Sequence, residues 1–379
     1  MILPGKTLGM LGGGQLGRFF TVAARSLGYR VVVLDPDTGS PAGRMADEHL
    51  HAAYTDAWAL EQMASGCAVL STEFENIPAE SLRRLAKHRP VHPDADALEQ
   101  TQNRIHEKQM LKAAGLMTVP YAEIQGLDDL PSALSSVQLP AILKRAELGY
   151  DGKGQVTVAT QEAAQEAFEY LGKVPCVLEQ RVDLACEISV ILARSASRQS
   201  CCFPIAENRH RNGILHMSMV PANVNADIRA QAETAATAIA AHLDYVGLLA
   251  VEFFVTRDGQ LLVNEVAPRP HNSGHFTLDA CITSQFEQQV RAICDLPLGA
   301  TDLMRPAVMV NLLGDLWAKG MPDWSLLLAN PQVKLHLYGK EEARPGRKMG
   351  HFTVLADDVA TALQQAEQLY QQLCDQAGS

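Results

Sequence analysis

No apolar run in the 379-residue chain is long enough to span a bilayer; the longest, Tyr245 to Val255, is interrupted by Glu252. Basic residues are not in excess, since 32 lysines and arginines against 43 aspartates and glutamates leave a formal net charge of −11. That balance excludes a general nucleic-acid or anionic-membrane binder, and a polyphosphate ligand would need a locally basic site. The eight cysteines contain no C-x-x-C pair. Cys176, Cys186, Cys201, Cys202, Cys281 and Cys294 stand among apolar neighbours, so reduced core thiols are expected, not a disulfide or zinc framework. Met1 leads almost directly into a strand-like stretch, without the basic, apolar and cleavage regions of a leader, and the chain reads as cytoplasmic. Repeats, low-complexity tracts and long linkers are missing as well.

What is present is the composition of a soluble globular protein, 47% hydrophobic and 20% charged, in a chain long enough for two or three domains. The first hundred residues alternate strand (Thr7–Leu11), helix (Gln15–Leu27), strand (Val31–Leu34), strand (Ala68–Ser71) and a helix after Pro78, which predicts a parallel sheet. Arg89–Pro93 reads as a boundary, and one helix over about Thr101–Ala114 closes at Gly115. Beyond Tyr121 the pattern becomes α+β: a glycine-rich loop, strands between Cys176 and Met219, and an alanine-rich helix near Ala226–Leu243. Two apolar strands, Val246–Thr256 and Gln260–Val266, then flank an Asp258-Gly259 turn, and a helix follows near Ser284–Cys294. The remainder predicts strands near Ala307–Leu312, Val333–Tyr338 and His351–Leu355 and a last helix from Asp357. The expected division is 1–100, 101–295 and 296–379.

Gly12 to Gly17 satisfy G-x-G-x-x-G between a strand and a helix, and Asp35 ends the next strand at the spacing of a ribose ligand. The physics of such a turn is generic, because any phosphate is attracted to free helix N–H groups. The parallel pattern also stops near residue 90, short of two mononucleotide halves. A site for a monophosphate, or a purely structural turn, is the preferred reading over NAD.

Lys144 ends a short strand and Gly149-Tyr150-Asp151-Gly152-Lys153-Gly154-Gln155 follows. Such a loop can either be a plain hairpin or fold over a polyphosphate with Lys144 and Lys153 adding charge. At the Asp258-Gly259 turn, a loop of two or four residues pairs Arg257 with Gln260, and counting back sets Glu252 opposite Glu265. Opposed side chains lie roughly 5 Å apart at Cβ, and two like charges there are destabilising. Both glutamates interrupt apolar strands, where ionised carboxylates need compensation. A divalent cation relieves both penalties, and Mg²⁺ commonly joins one or two carboxylates to phosphates, with Asn264 a further polar contact. The run Pro268-Arg269-Pro270-His271-Asn272-Ser273-Gly274-His275 is a loop, suited to hydrogen-bonding a small anion more than to ligating metal. Tyr338 to Lys340 and Arg344 to His351 form the strongest basic concentration and read as an anion-binding loop.

In order along the chain, GGGQLGR (Gly12–Arg18), TEFENI (Thr72–Ile77), GYDGKGQ (Gly149–Gln155), ENRHRNGIL (Glu207–Leu215), NEVAPRPHNSGH (Asn264–His275) and RPGRKMGH (Arg344–His351) resemble the ATP-grasp superfamily. Within it they resemble the N5-carboxyaminoimidazole ribonucleotide synthase family over nearly the whole length. The resemblance implies an ATP-grasp fold of α/β and α+β type, with a Rossmann-like N-terminal domain and a small C-terminal domain. It implies ATP contacts at Arg104, Lys144, Gly149 to Gln155, Glu179, Gln180, Arg181, Val182, Glu187, His210, Asn264 and Glu265, and Mg²⁺ at Glu252 and Glu265. Gln15, Leu16, Glu73, Tyr150, Asp151, Lys153, Arg269, His271, Asn272, Lys340, Arg347 and Lys348 would surround aminoimidazole ribonucleotide and bicarbonate. Of these, Arg269, His271, Asn272 and Lys340 would hold the carboxyl donor. A homodimer is implied too, and Leu184 stands where the family often has an aromatic beside the adenine. Biotin carboxylase and a formate-using glycinamide ribonucleotide transformylase share the loop and carboxylate pair, but HNSGH and RPGRKMGH favour the first assignment. An NAD-dependent oxidoreductase and a noncatalytic nucleotide-binding regulator are the rivals from other classes.

Overall fold

The computed structural model describes residues 1–147, 149 and 154–378. The N-terminal region carries the expected parallel sheet, with five strands in the order Glu48–Leu50, Arg30–Leu34, Thr7–Leu11, Val69–Thr72, Val91–His92. Two of these strands exceed the expectation. Glu48–Leu50 has three residues and Val91–His92 two, too short for a period to show, and the latter lies where a domain boundary was expected. The strand order reverses between the parallel neighbours Thr7–Leu11 and Val69–Thr72, the place where open α/β sheets present their ligand crevice.

The helix expected over Thr101–Ala114 is two, Ala95–Gln102 and Arg104–Ala113. Asn103 separates them: its carboxamide accepts from the N–H groups of Ile105 and His106 and caps the second helix. The break sets Arg104 at the first helical position, where its own N–H reaches Ala146 O at 2.8 Å.

Tyr121–Ile124, Cys176–Gln180, Ala141–Arg145 and Gln155–Val158 form a four-stranded antiparallel sheet. Lys144 pairs with Gln155, so the glycine-rich segment connects two adjacent antiparallel strands. Three residues after Gln180 the chain enters Leu184–Arg194, a strand of a nine-stranded sheet. That sheet crosses the expected boundary at residue 295. Ala307–Leu313 pairs with Ile214–Val220, and Lys348–Leu355 and Val333–Leu337 extend it. The last third of the chain therefore shares a sheet with the middle third. Its apolar faces are covered by helix Ala226–His242 on one stretch and by Val359–Ala377 on another.

All eight cysteines are free thiols; of the six expected in the core, Cys186, Cys201 and Cys202 are only partly buried. Among the described residues no helix is long and apolar enough to cross a membrane.

Candidate active site

The hairpin Gly247–Thr256 and Leu261–Ala267 places Glu252 directly opposite Glu265, as the residue count anticipates, but by another route. Thr256, not Arg257, pairs with Gln260, through a three-residue loop closed by Gly259 at φ +84. That shifts the register by one, and a bulge at Asn264 shifts it back. The bulge is held from outside the hairpin, by Glu107 on helix Arg104–Ala113, whose carboxylate accepts from Val266 N–H. Burial pushes Glu107 up to about 8, against the Arg104 charge.

Burial, then the Glu265 charge, pushes Glu252 up to about 7. Between the ordinary value of 4.5 and that value the folded chain holds a proton that the unfolded chain has released. Without divalent cation this group therefore removes stability as pH rises through that window. Glu252→Gln is expected to melt above the wild type at pH 8 and close to it at pH 5. Equal melting differences at the two pH values in thermal scans would rule this out. Beside the pair, Asn264 Oδ1 is buried with no hydrogen-bond partner among the described residues. Two facing carboxylates and an unpartnered amide oxygen form an all-oxygen donor set, which fits Mg²⁺.

Around this pair the charged groups alternate in sign. Arg104 Nη1 is 3.2 Å from Glu265 Oε2, so one residue ties the four-stranded sheet, through Ala146, to the carboxylates of the large one. Lys144 and Lys108 flank Glu179 at 2.5 and 2.9 Å. His210 Nδ1 lies 2.9 Å from Glu187 Oε2, and although burial lowers its pKa, that carboxylate raises it further. His271 Nε2 is 3.5 Å from Glu252 Oε1. Burial and the Arg269 charge push its pKa well down. Gln180 ends the strand Cys176–Gln180, and Arg181 and Val182 lie in the three-residue connection between the two sheets.

The other expected residues fare unevenly. Lys340 Nζ donates to Gln15 Oε1 at 2.6 Å and to Lys348 O at 2.7 Å, joining the basic loop to the glycine turn. Leu16 is buried in an apolar cluster with Phe19, Phe286 and Tyr338, so its side chain is core. Asn272 is buried and its amide is paired in both directions with that of Asn311. Arg347 donates to Glu342 O within its own loop. Of the two histidines in the 268–275 run, His271 faces Glu252 while His275 is fully buried among Phe19, Phe286 and His351. Tyr150, Asp151, Gly152 and Lys153 lie outside the described residues.

The glycine turn is filled from within. Glu73, at the end of Val69–Thr72, accepts from Gly14 N–H and, at 2.7 Å, from Gly17 N–H, while Asp35 accepts from Gly13 N–H at 2.6 Å. Gly12 adopts φ +105, and a Cβ there would stand 2.4 Å from Glu73 Cγ. The N–H groups of Gly13, Gly14 and Gly17, on which a dinucleotide pyrophosphate would draw, are thus already taken by carboxylates of the chain itself. Asp35 also accepts from Tyr54 O–H at 2.7 Å, which removes the ribose ligand from the NAD reading.

Three supporting residues escape the sequence reading: Glu75, Glu107 and Lys108. Glu75 pairs with Arg269 at 2.5 Å; burial pushes Glu75 up, but the arginine outweighs it and leaves the carboxyl below its usual range. Arg104, Glu107 and Lys108 stand at i, i+3 and i+4, so three charges share one helix face, and that signal is present in the sequence.

Family models match in three consecutive stretches: a ribonucleotide synthetase preATP-grasp domain over residues 5–102, an ATP-grasp domain over 109–286, and a phosphoribosylaminoimidazole carboxylase C-terminal domain over 307–365. The chain is 45% identical over 355 residues to an N5-carboxyaminoimidazole ribonucleotide synthase of Bacillus subtilis (strain 168), covering 94% of this chain and 93% of that one. It is 46% identical over 352 residues to the same-named protein of Brucella melitensis, covering 92% and 96%. A crystal structure of an N5-carboxyaminoimidazole ribonucleotide synthetase as its ADP complex superposes with TM-score 0.93 at 43% identity, over 100% of this chain and 99% of that one. The Aspergillus clavatus enzyme in complex with ADP and 5-aminoimidazole ribonucleotide superposes with TM-score 0.88 at 31% identity, over 98% of each. Facing carboxylates on the large antiparallel sheet, tied through Arg104 to the smaller one, accord with these matches along nearly the whole chain: the chain belongs to the N5-carboxyaminoimidazole ribonucleotide synthase family of ATP-grasp proteins.

Proposed function

We propose that the chain couples ATP hydrolysis to the carboxylation of 5-aminoimidazole ribonucleotide by bicarbonate, giving N5-carboxyaminoimidazole ribonucleotide in purine biosynthesis. The observation that carries this reading is the Glu252–Glu265 pair with the unpartnered Asn264 oxygen beside it, in a cleft also lined by Lys144, Arg104 and His271. A bicarbonate oxygen attacks the γ-phosphorus; the new O–P bond forms as the bond to ADP breaks, leaving carboxyphosphate. The exocyclic amine then forms its N–C bond with the carboxyl carbon, directly or after release of CO2. The C–O bond to phosphate breaks, and the amine proton passes to the departing phosphate. Glu252, Glu265 and Asn264 would hold Mg²⁺, which when bound neutralises charge on the transferring phosphoryl group.

The chain's own residues supply the rest. Lys144 and Arg104 place fixed positive charge where the polyphosphate lies, without reorganisation at the moment of transfer. Glu179 and Gln180 at the end of Cys176–Gln180, with Arg181 and Val182 in the connection that follows, face the adenine, and Leu184 supplies apolar packing where an aromatic is common in the family. Arg269, held in place by Glu75, and His271 face the carboxyl donor; Lys340 and Gln15 bracket the ribonucleotide. Asn272 contributes by fixing Asn311, and Glu73 by shaping the glycine turn. The segment Tyr150–Lys153, with Gly149, Gly154 and Gln155, is assigned the role of shielding the water-labile intermediate. Location in the cytoplasm, assembly as a homodimer, and sequence units dividing near residues 100 and 295, the second and third sharing the nine-stranded sheet, belong to the same proposal.

The test is ADP release with Mg-ATP and bicarbonate, with and without aminoimidazole ribonucleotide, alongside detection of product. Stimulated release with an acid-labile carboxylated product is the expected result. ATP binding without stimulation would retain the fold and replace the acceptor.

A further inference from the structure

Beneath His271 runs a line of four polar side chains from three adjacent strands and one turn. Ser218 lies on Ile214–Val220, Asn208 on Ala206–Arg211, Ser189 on Leu184–Arg194 and Ser273 in the turn Asn272–Gly274, and none is more than 5% exposed. Ser218 Oγ donates to Asn208 Oδ1 at 2.8 Å, and Asn208 Nδ2 donates to Ser189 Oγ at 3.0 Å. The Ser189 and Ser273 hydroxyls are 2.7 Å apart, and Ser273 Oγ is 2.9 Å from His271 Nδ1.

A hydroxyl has a single proton. With Asn208 donating into it, Ser189 directs its own proton to Ser273, because the reverse arrangement leaves a buried O–H without an acceptor. Ser273 then donates to His271 Nδ1. A second donor points the same way: the main-chain N–H of Ser273 reaches Nδ1 at 3.4 Å, and a peptide N–H can only donate. Nδ1 must therefore offer a lone pair, and a neutral imidazole with Nδ1 bare carries its proton on Nε2. That nitrogen is the one 3.5 Å from Glu252 Oε1. Ser189 is also the direct cross-strand partner of Glu252, so the line and the carboxylate pair belong to one rigid patch of sheet.

We infer that Ser218, Asn208, Ser189 and Ser273 are positioning residues that lock His271 in the Nε2–H tautomer, so that it meets the reacting anions as a hydrogen-bond donor and not as the base that takes a proton. The functional half of this inference rests on the carboxylation reading; the tautomer does not. Outer partners that orient metal-bound histidines change activity by about 10–100-fold when removed, and the lower end of that range is the expectation for His271, which faces a carboxylate.

Ser189→Ala breaks the line at its middle. Its kcat for ribonucleotide-stimulated ADP release is expected to fall about tenfold, with KM for ATP and ribonucleotide changed less than about twofold. Ser189→Thr, which keeps the hydroxyl, restores the rate. In a His271→Gln background the same Ser189→Ala change alters the residual rate less than about twofold, because the two act through one group. Equal losses in both backgrounds would overturn the inference. Long-range ¹H–¹⁵N correlation on protein labelled at histidine nitrogen reads the tautomer without turnover, the His271 signals being those lost in His271→Gln. The wild type is expected to show a bare Nδ1, and a protonated Nδ1 would overturn the inference even if Ser189→Ala fails to fold. A bare Nδ1 in a protein without carboxylation activity would sink the reaction assignment and leave the tautomer standing.

Discussion

With both Glu252 and Glu265 replaced by glutamine, bicarbonate-dependent ADP release falls by at least about 10³-fold while the protein remains folded. A metal clamp on a transferring phosphoryl group supplies several kcal/mol of charge stabilisation, and roughly 4 kcal/mol corresponds to that factor. The fold survives because the substitution removes a repulsion: burial and the facing carboxylate already push Glu252 up to about 7. Arg104 loses its partner at 3.2 Å but keeps the charge of Glu179 within electrostatic range. Steady-state ADP release and a thermal scan check both halves. Activity within tenfold of wild type in a well-folded double variant would remove the carboxylate pair from the mechanism.

Glu179→Gln is expected to cost stability on the largest scale of any single change in the cleft, about 3–5 kcal/mol at pH 7. Its carboxylate lies between Lys144 at 2.5 Å and Lys108 at 2.9 Å, and no side chain of the three is more than 11% exposed. Glutamine cannot balance two buried ammonium groups. Burial pushes Glu179 up, but the two lysines outweigh it and hold it at about 2, below the ordinary 4.5. A depressed carboxyl contributes its stability above the unfolded value and loses it as pH falls towards the folded one. The stability gap between wild type and variant should therefore be full at pH 7 and much reduced at pH 3. Urea titrations at the two values measure it; a gap that is absent at pH 7, or equal at both, would show that the triad is not a buried ion cluster.

Much of the fold is legible in the sequence because its strands and helices carry their own periods and caps. The first strand is predicted at its observed bounds, and Asp358 caps the last helix one residue from its expected start. Counting back from the turn gives the Glu252–Glu265 pairing because two one-residue shifts cancel, the three-residue loop moving the register and the bulge restoring it. The bulge could not be seen locally, since Glu107 holds Val266 N–H from 159 residues away in the chain. The same distance hides Glu75, which is 194 residues from the arginine it fixes. Residues named through family resemblance divide on a physical line. Arg104, Lys144 and His271 each reach a buried carboxylate, whereas Arg347 bonds within its own loop. The side chain of Leu16 packs in an apolar cluster and that of Asn272 in a hydrogen-bond network, surroundings that no residue type announces.

The pairing of Ile214–Val220 with Ala307–Leu313 sets a clock on the ribosome. The first strand emerges well before its neighbour exists, and at about 5–20 residues per second the roughly 90 intervening residues take about 4–18 s to make. For that interval the mostly apolar run Ile214-Leu215-His216-Met217-Ser218-Met219-Val220 presents an open strand edge, of the kind that pairs with other chains. Slow translation between codons 221 and 306 would lengthen the exposure, and the nascent chain is therefore most exposed to aggregation before its final quarter is complete.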